Sequence, residues 1–367
     1  MLPLPPNLTT IMILSTSCNL NCCYCYALKG GVESRGKHMM SIDVIKKSLE
    51  KLYSSSIQRL DFNWHGGEPL LAGMTVFEDI VSIQSDLGKK YPSKQVFNKI
   101  QTNALLISEH WISFFKKHNF GVGVSIDGPA SVQNIQRPLV SGKPSFERVM
   151  RGIELLKDAN VQGGELLVIT KESLAHVQDI YDFCKEHIKN FDIIPCFHVD
   201  KKTGSPLPPT INDEEYGEFL IQLFDLWVQD DNPSVKIRFF EETIQAMMGA
   251  KPSLCSLNNG CNTFITVDWN GDIFPCDNFS GYKQFLLGNV WDVSIDEMLL
   301  EDNYQEVAKG MSTVGAQCLE CKWKNICNGG CSHQRYIPNF NFNSRFYYCD
   351  ARKFLFAHIQ KWLKNVN

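Results

Sequence analysis

The sequence predicts an α/β fold, with a parallel sheet covered by helices, followed by a smaller cysteine-rich region that contains a β-hairpin. From residue 9 to about residue 200, short apolar runs alternate with segments of helical period, which is the pattern of strand–helix units. Polar and glycine-rich motifs follow these strands, at the edge where barrels and open α/β sheets place ligands. Further along, Trp269-Asn-Gly separates two short apolar runs, which is a strong hairpin signal.

The individual elements follow from hydrophobic period and from turn residues. Strands are predicted at residues 9–14, 60–64, 96–101, 121–126, 165–169 and 191–198. Helices are predicted at residues 41–51, 75–87, 109–117, 146–158 and 174–187, the first with Ser41 as its N-cap. After a break rich in Gly, Ser and Pro at residues 201–209, two further helices are predicted at 213–229 and 240–248, and the hairpin strands at 263–268 and 272–275.

Composition restricts the class of protein. A chain of 367 residues accommodates two domains of ordinary size, and we expect residues 1–235 to carry the sheet and residues 236–367 to carry most of the cysteines. The net charge of −4 provides no global basic field, so we expect no nucleic-acid partner. The sequence has neither a secretory signal nor a stretch of ~20 apolar residues, so we expect a cytoplasmic protein without a membrane partner.

Three cysteines near the start of the chain have iron–sulfur spacing. Cys18, Cys22 and Cys25 form a C-x3-C-x2-C motif, whose thiolates suffice for three irons of a 4Fe–4S cluster. The fourth iron would lack a protein ligand, and an open iron is where a substrate or cosubstrate binds. A zinc site is the alternative, but structural zinc requires four ligands and no fourth Cys or His follows closely.

A second set of cysteines lies in the last third of the chain. It comprises eight residues: Cys255, Cys261, Cys276, Cys318, Cys321, Cys327, Cys331 and Cys349. Eight thiolates are enough for two fully ligated 4Fe–4S clusters. Disulfides are the alternative, but the absence of a secretory signal and the length of the chain weigh against them. A zinc ribbon at the Cys318 and Cys321 pair stays open.

The first motif, with an aromatic residue before its last cysteine, resembles the radical S-adenosylmethionine (SAM) enzymes. The order of the second set resembles the SPASM domain, the auxiliary-cluster module of radical SAM enzymes that modify peptides and proteins. The resemblance covers nearly the whole chain and implies a partial (β/α)6 barrel, three 4Fe–4S clusters and SAM, which is cleaved to a 5′-deoxyadenosyl radical. It assigns the first auxiliary cluster to Cys255, Cys261, Cys276 and Cys331. It assigns the second to Cys318, Cys321, Cys327 and Cys349.

The resemblance also implies residues that contact SAM. The GGEP motif of the family corresponds to Gly66, Gly67, Glu68 and Pro69, where a carbonyl or carboxylate would accept from the methionine ammonium. Tyr24 corresponds to the aromatic residue whose backbone meets the adenine. Further polar candidates at strand ends or in the following loop are Asn103, Ser125, Asp127 and Arg137. The alternatives are an ordinary turn at Asp127-Gly-Pro and a solvated position for Arg137.

Two groups of enzymes share this domain pairing: anaerobic sulfatase-maturating enzymes and maturases of ribosomally made peptides. Both abstract hydrogen from a side-chain carbon of a peptide or protein, and both use an electron donor such as flavodoxin or ferredoxin. In sulfatase maturases, the aspartate at the place of Asp277 is the candidate base, so we predict Asp277 as catalytic. Alternatively, Asp277 hydrogen-bonds its own loop or supports the cluster.

Sequence details divide the two groups. The cluster motif begins at Cys18, so we expect no leader-peptide-recognition domain of roughly 80 residues before it. This favours a sulfatase maturase, or a peptide maturase that binds its leader in another way. Against this, His65 stands where we expect Gln in sulfatase maturases, and Ala104 stands where we expect Gly. The run from His65 to Leu70 instead resembles crosslink-forming peptide maturases. We therefore rank formation of a carbon–carbon, thioether or ether crosslink first and oxidation of Cys or Ser to formylglycine second. A non-catalytic electron-transfer protein is the third possibility, disfavoured because such carriers ligate every iron.

Overall fold

A computed structural model of the protein describes residues 2–25 and 38–366. The strands within these residues are β1 (Asn7–Ser15), β2 (Arg59–Gly66), β3 (Gln95–Thr102), β4 (Gly121–Ser125), β5 (Gln162–Ile169), β6 (Asn190–Pro195), β7 (Lys236–Ile237), β8 (Phe264–Val267), β9 (Asp272–Phe274) and β10 (Gly288–Asn289). They form one sheet in the order β10-β9-β8-β1-β2-β3-β4-β5-β6-β7. Its two edges, β7 and β10, do not pair with each other in the described part of the chain, so the sheet stays open.

The first seven strands are all parallel to their neighbours. This arrangement confirms the predicted α/β class, because parallel strands need crossover connections and the chain supplies helices for them. The carboxyl ends of β1 to β6 therefore lie at one edge of the sheet. The predicted site motifs follow directly from these ends, so the topology gathers segments that are distant in sequence.

The helices cover the sheet and build the cysteine-rich region. They are α1 (Ile42–Tyr53), α2 (Met74–Lys90), α3 (Glu109–His118), α4 (Ala130–Gln136), α5 (Phe146–Asp158), α6 (Val177–Phe183), α7 (Asp213–Asp230), α8 (Arg238–Met247), α9 (Cys255–Asn258), α10 (Ile295–Leu300), α11 (Asp302–Ser312), α12 (Ala316–Leu319), α13 (Lys324–Cys327), α14 (Ser332–Tyr336) and α15 (Cys349–Val366). The predicted N-cap of α1 is confirmed, since the Ser41 side chain accepts from the backbone of Val44 at 3.3 Å. None of the described helices is long and apolar enough to cross a membrane.

In the first 235 residues, two helical segments differ from the sequence prediction, and none of the helices from α9 to α15 was predicted. The segment predicted as one helix at residues 174–187 consists of a 3-10 turn (Glu172–His176), then α6, then a π-helical turn (Cys184–Ile188). Helix α4 was not predicted, because Asp127-Gly-Pro preceding it indicates a turn. That helix follows the turn directly and lies beside the site described below.

The predicted hairpin is present, and it joins the main sheet. Strand β8 pairs in parallel with β1, from Thr9 opposite Phe264 to Met12 opposite Val267. Strand β9 then returns antiparallel to β8. The hairpin therefore covers the edge that β1 would otherwise expose. It also brings Cys276, which follows β9, against the parallel part of the fold.

The C-terminal helix makes a second connection between the two regions. Helix α15 packs along α7, where a Cβ atom added at Gly217 would lie 3.1 Å from the Cα atom of Ala351. The hydroxyl of Tyr348 donates to the backbone carbonyl of Cys196, just beyond β6, at 2.7 Å. Cys349 is therefore held at a defined position relative to the sheet.

Candidate active site

Strand β1 delivers the chain into the loop that carries Cys18, Cys22 and Cys25. The three thiols interact electrostatically with one another, so the loop brings them together. Burial raises the pKa of Cys18 to about 11 and that of Cys22 to about 12. Thiolates are the form that binds metal, so binding of iron would displace these protons. The donor set fits an iron–sulfur cluster with three protein ligands.

The paired glycines allow the end of β2 to approach this loop. A Cβ atom at Gly66 would clash with the carbonyl oxygen of Ser15, and one at Gly67 would clash with that of Ser17. The backbone N–H of Gly67 donates to the Ser15 carbonyl at 2.6 Å, and that of Glu68 donates to the Ser17 carbonyl at 2.9 Å. Glycine is required here because two backbones meet. The motif thereby fixes the start of the cysteine loop.

The Glu68 carboxylate is fully buried and joins the ends of two strands. It accepts from the Thr102 hydroxyl at 2.8 Å, from the Asn103 backbone at 2.8 Å and from the Leu70 backbone at 3.0 Å. Pro69 follows it and opens a 3-10 turn (Pro69–Ala72). These hydrogen bonds hold the end of β3 against the end of β2.

The predicted polar residues of β3 and β4 occupy the same edge. The Asn103 amide donates to the Asn19 side chain at 2.7 Å and lies 3.7 Å from the sulfur of Cys18. The Ser125 hydroxyl accepts from the Gln101 amide at 2.9 Å. Ala104, where glycine was expected, has a φ of 62°, a left-handed conformation that alanine adopts only with strain.

A buried network links the cysteine loop to the end of β4. The Tyr24 hydroxyl donates to the Asp127 carboxylate at 2.6 Å and accepts from the Arg137 guanidinium. A second Asp127 oxygen accepts from the Val168 backbone at 3.1 Å and lies 3.8 Å from Arg137. Arg137 is 7% exposed, so it is a buried member of this network and not a solvated loop residue.

The unpredicted helix α4 holds the other side of the cysteine loop. The carbonyl of Gln136, its fully buried last residue, accepts from the Cys23 backbone at 2.9 Å. The carbonyl of Pro138, beyond the helix, accepts from the Asn21 backbone at 2.8 Å. Gln133, also fully buried, accepts from the Asp127 backbone at 2.9 Å. Sequence reasoning missed both glutamines, since no local pattern distinguishes a buried Gln from an exposed one.

The first group of four cysteines from the second set comes together beside the hairpin. Electrostatic interactions link Cys255 with Cys261 and Cys331, and link Cys276 with the same two residues. Burial raises the pKa of Cys255 to about 12. The Ser332 hydroxyl lies 3.4 Å from the Cys261 sulfur. These four thiols are the ones that the resemblance assigns to one auxiliary cluster.

The other four cysteines line one cavity. This cavity is small, and its walls include Cys318, Cys321, Cys327 and Cys349. Within the described residues, no three Cys, His, Asp or Glu side chains meet closely enough to hold a single metal ion. A cluster binds each thiolate through a different iron, so its ligands need not meet at one atom. Four thiols around one cavity fit that requirement.

Asp277 lies between the two regions of the molecule. It follows Cys276, whose sulfur is 3.2 Å from the Asp277 carboxylate. It interacts electrostatically with His65, at the end of β2, and with His333, on α14. The Nδ1 atom of His65 accepts from the Gly66 backbone at 2.8 Å. Asp277 therefore faces the carboxyl ends of the parallel strands as well as the first group of cysteines. No pattern in the sequence identified His333 as a neighbour of Asp277.

Comparisons with known families agree with this division. Residues 12–184 match the Radical SAM superfamily, and residues 255–322 match SPASM, an iron-sulfur cluster-binding domain. The cysteine-type anaerobic sulfatase-maturating enzyme of Clostridium perfringens is 30% identical over 368 residues, covering 99% of both chains. The serine-type enzyme of Bacteroides thetaiotaomicron is 31% identical over 357 residues, covering 90% of this chain and 85% of its own.

Solved structures extend the similarity to three dimensions. Native anSMEcpe with bound AdoMet and Cp18Cys peptide aligns with a TM-score of 0.88 at 30% identity, covering 98% of both chains. Streptococcus suis SuiB bound to precursor peptide SuiA aligns with a TM-score of 0.64 at 18% identity, covering 93% of this chain and 75% of SuiB. The likeness to SuiB shows the fold alone. The relatives favour the sulfatase maturase over the peptide-crosslinking enzyme that we ranked first.

Proposed function

The chain belongs to the radical SAM superfamily and carries a SPASM domain, and on that basis we propose that it oxidises a Cys or Ser side chain of a sulfatase to formylglycine. It is an enzyme that modifies a peptide or protein. The observation that carries the proposal is the end-to-end similarity to sulfatase-maturating enzymes, which extends across the sheet, the hairpin and the C-terminal helix. The cysteine-type enzyme of Clostridium perfringens and the serine-type enzyme of Bacteroides thetaiotaomicron are 30% and 31% identical to this chain, so the proposal includes both side chains.

In this proposal the chain binds three 4Fe–4S clusters and SAM. Residues 1–235 hold SAM near Cys18, Cys22 and Cys25, and residues 236–367 hold the two auxiliary clusters. When bound, SAM on the open iron supplies a 5′-deoxyadenosyl radical, which abstracts a hydrogen atom. Glu68, Asn103 and the Tyr24 network hold the cysteine loop against the strand ends, and Ser125 adds a polar group at the same edge.

Asp277 is the proposed base. The oxidation removes two electrons and two protons in all: one hydrogen atom from the substrate carbon, one proton that Asp277 takes, and one electron, for which a cluster held by Cys255, Cys261, Cys276 and Cys331 would be the acceptor. From a serine this yields the aldehyde directly. From a cysteine it yields a thioaldehyde, which water converts to the aldehyde with release of hydrogen sulfide. The position of Asp277 between His65 and Cys276 supports this role, since the carboxylate faces the carboxyl ends of the parallel strands and adjoins a cluster ligand.

Peptide crosslinking is the second candidate. His65 and Ala104 favour it, because both depart from the residues that we expect in sulfatase maturases. It uses the same first step and the same base. For either reaction we propose flavodoxin or ferredoxin as the electron donor, and the cytoplasm, where thiols stay reduced, as the location.

The experiment uses anaerobically reconstituted enzyme with SAM and a reductant. Three peptides from a sulfatase active site carry Cys, Ser or Ala at the modified position, the last as the control. We expect an aldehyde on the Cys peptide, the Ser peptide or both, detected by mass spectrometry and by an aldehyde-reactive probe. If 5′-deoxyadenosine forms but neither peptide gains an aldehyde, the sulfatase assignment is wrong. Loss of two hydrogens from a precursor peptide, without an aldehyde, would then favour crosslinking.

A further inference from the structure

Arg352 is a buried cation that lies between the two groups of SPASM cysteines. It is 5% exposed and projects from α15. Its Nη1 atom donates to the Ser256 carbonyl at 2.7 Å, next to Cys255 of the first group, and to the sulfur of Cys327 of the second group at 3.5 Å. It interacts electrostatically with Cys255 and Cys331 and lines the cavity of the second group.

Arg335 occupies a similar position on α14. It is fully buried, and its Nη atoms donate to the backbone carbonyls of Thr313, Met311 and Phe342. It interacts electrostatically with two cysteines of each group, namely Cys261, Cys331, Cys318 and Cys327. Two permanent positive charges therefore stand near both cluster sites.

Neither arginine has a carboxylate partner among the described ion pairs. The Nε atoms of Arg335 and Arg352 are also buried without a hydrogen-bond partner in the described part of the chain. A buried cation without a counter-charge is strongly unfavourable, and a buried N–H without an acceptor adds about 1–3 kcal/mol. A cluster held by four thiolates carries net negative charge, so bound clusters would supply the counter-charge that both arginines lack.

We infer that Arg335 and Arg352 are positioning residues that stabilise the reduced auxiliary clusters, raising the reduction potentials of both. The inference rests on the two auxiliary clusters of the proposed function. Positive charge and N–H donation to cluster sulfur both favour the reduced state, because reduction adds one negative charge. Held by their four cysteines each, the clusters would supply one-electron acceptors between the substrate, which loses one electron, and an external one-electron carrier of the ferredoxin or flavodoxin class, which would take it up.

The test measures the potentials by redox titration followed with electron paramagnetic resonance, without SAM or substrate. Arg352→Gln removes the charge, Arg352→Lys keeps it, and the double variant Arg335→Gln/Arg352→Gln removes both charges. Arg151→Gln, on the exposed face of α5, is the matched control. We expect Arg352→Gln to lower the reduced-to-oxidised ratio of an auxiliary cluster at least tenfold at fixed potential, about 59 mV for one electron. The double variant should lower this ratio further.

The Arg352→Lys variant, which keeps the positive charge, separates an effect of charge on the reduction potential from an effect of altered side-chain packing. Arg352→Lys and Arg151→Gln should titrate close to the parent enzyme. Unchanged potentials in both the single and double glutamine variants, with full iron content, overturn the inference and leave the sulfatase assignment untouched. Loss of iron in Arg352→Gln, with iron kept in Arg352→Lys, also overturns it, because the charge would then serve assembly. If the peptides gain no aldehyde but the glutamine variants shift the reduction potentials, the assigned reaction is wrong, whereas the inference about the arginines stands.

Discussion

The hydroxyl of Tyr24 donates to the carboxylate of Asp127 across 2.6 Å, although 103 residues separate the two in the chain. Tyr24 lies between two cysteines of the first motif, and Asp127 follows β4. Arg137 donates to the same hydroxyl, so one phenol joins a loop, a strand end and a helix end. The hydrogen bond between Tyr24 and Asp127 therefore fixes the position of the cysteine loop relative to the end of β4.

Replacing Tyr24 with Phe should lower the free energy of unfolding by about 1–3 kcal/mol, because a buried carboxylate and a buried guanidinium each lose a partner. SAM should also bind more weakly, since the cysteine loop loses its anchor. Denaturant unfolding and equilibrium SAM binding measure the two effects. Tyr91→Phe, at the end of α2, is the control. Equal stability of the two variants would show that the network does not hold the loop.

Three clusters predict about twelve irons per chain. Eleven cysteines supply the ligands in this count, and one iron stays open to SAM. Iron and sulfide analysis of the anaerobically reconstituted protein provides the number. A value near four irons would mean that the two groups of SPASM cysteines do not hold clusters.

Replacing Cys18, Cys22 and Cys25 together with Ala should abolish cleavage of SAM and leave about eight irons bound. The SPASM cysteines belong to separate groups of thiols and need no ligand from this loop. The assay follows 5′-deoxyadenosine under reducing conditions, with iron analysis of the same sample. Persistent 5′-deoxyadenosine in the triple variant would place the SAM site elsewhere. Cys184→Ala, in the buried π-helical turn beyond α6, is a control for loss of a thiol outside these groups.

Replacing Asp277 with Asn should separate the two halves of the reaction. The variant should still bind SAM and abstract hydrogen, while modified peptide falls by roughly 10²-fold or more, the usual scale for loss of a general base. Both products are measured in one reaction. Asn278→Ala, which removes the neighbouring amide, controls for disturbance of the loop. Product near the parent level in Asp277→Asn would assign the proton to another acceptor.

Asp192 on β6 predicts a dependence of stability on pH. Burial raises the pKa of Asp192 to about 6, with Arg238 opposing and Glu242 adding to the shift. The folded-state pKa exceeds the unfolded value, so ionisation destabilises the fold: the penalty is absent below pH ~4, grows between ~4 and ~6, and is full above that range. At pH 7.5 the free energy of unfolding of Asp192→Asn should therefore exceed that of the parent protein by roughly 1–3 kcal/mol.

Denaturant unfolding from pH 5 to 8 measures that difference. It should narrow as the pH falls through 6, because the parent protein then regains a neutral Asp192. The exposed Asp158→Asn, at the end of α5, serves as the control and should show no such trend. A constant difference across the range would assign the effect to packing instead of charge.

The α/β class, most element positions and both sets of cysteines could be predicted from sequence because they are local patterns. Hydrophobic period distinguishes strand from helix within a dozen residues, and the C-x3-C-x2-C spacing requires no knowledge of the rest of the chain. The predicted bounds of α5 at residues 146–158 are confirmed without change. Local patterns did not predict α4. The turn residues Asp127-Gly-Pro precede this helix directly, and its stability comes from tertiary contacts.

The sequence by itself therefore determined which chemical groups the protein carries and the order in which they occur. Only the tertiary structure decided which groups meet: Tyr24 with Asp127, Asp277 with His65, and Arg335 and Arg352 with cysteines of both SPASM groups. These partners depend on strand order, on the pairing of β8 with β1 and on the packing of α15 against α7. Such long-range pairings arise from the burial of whole surfaces, and no short segment of the chain encodes them.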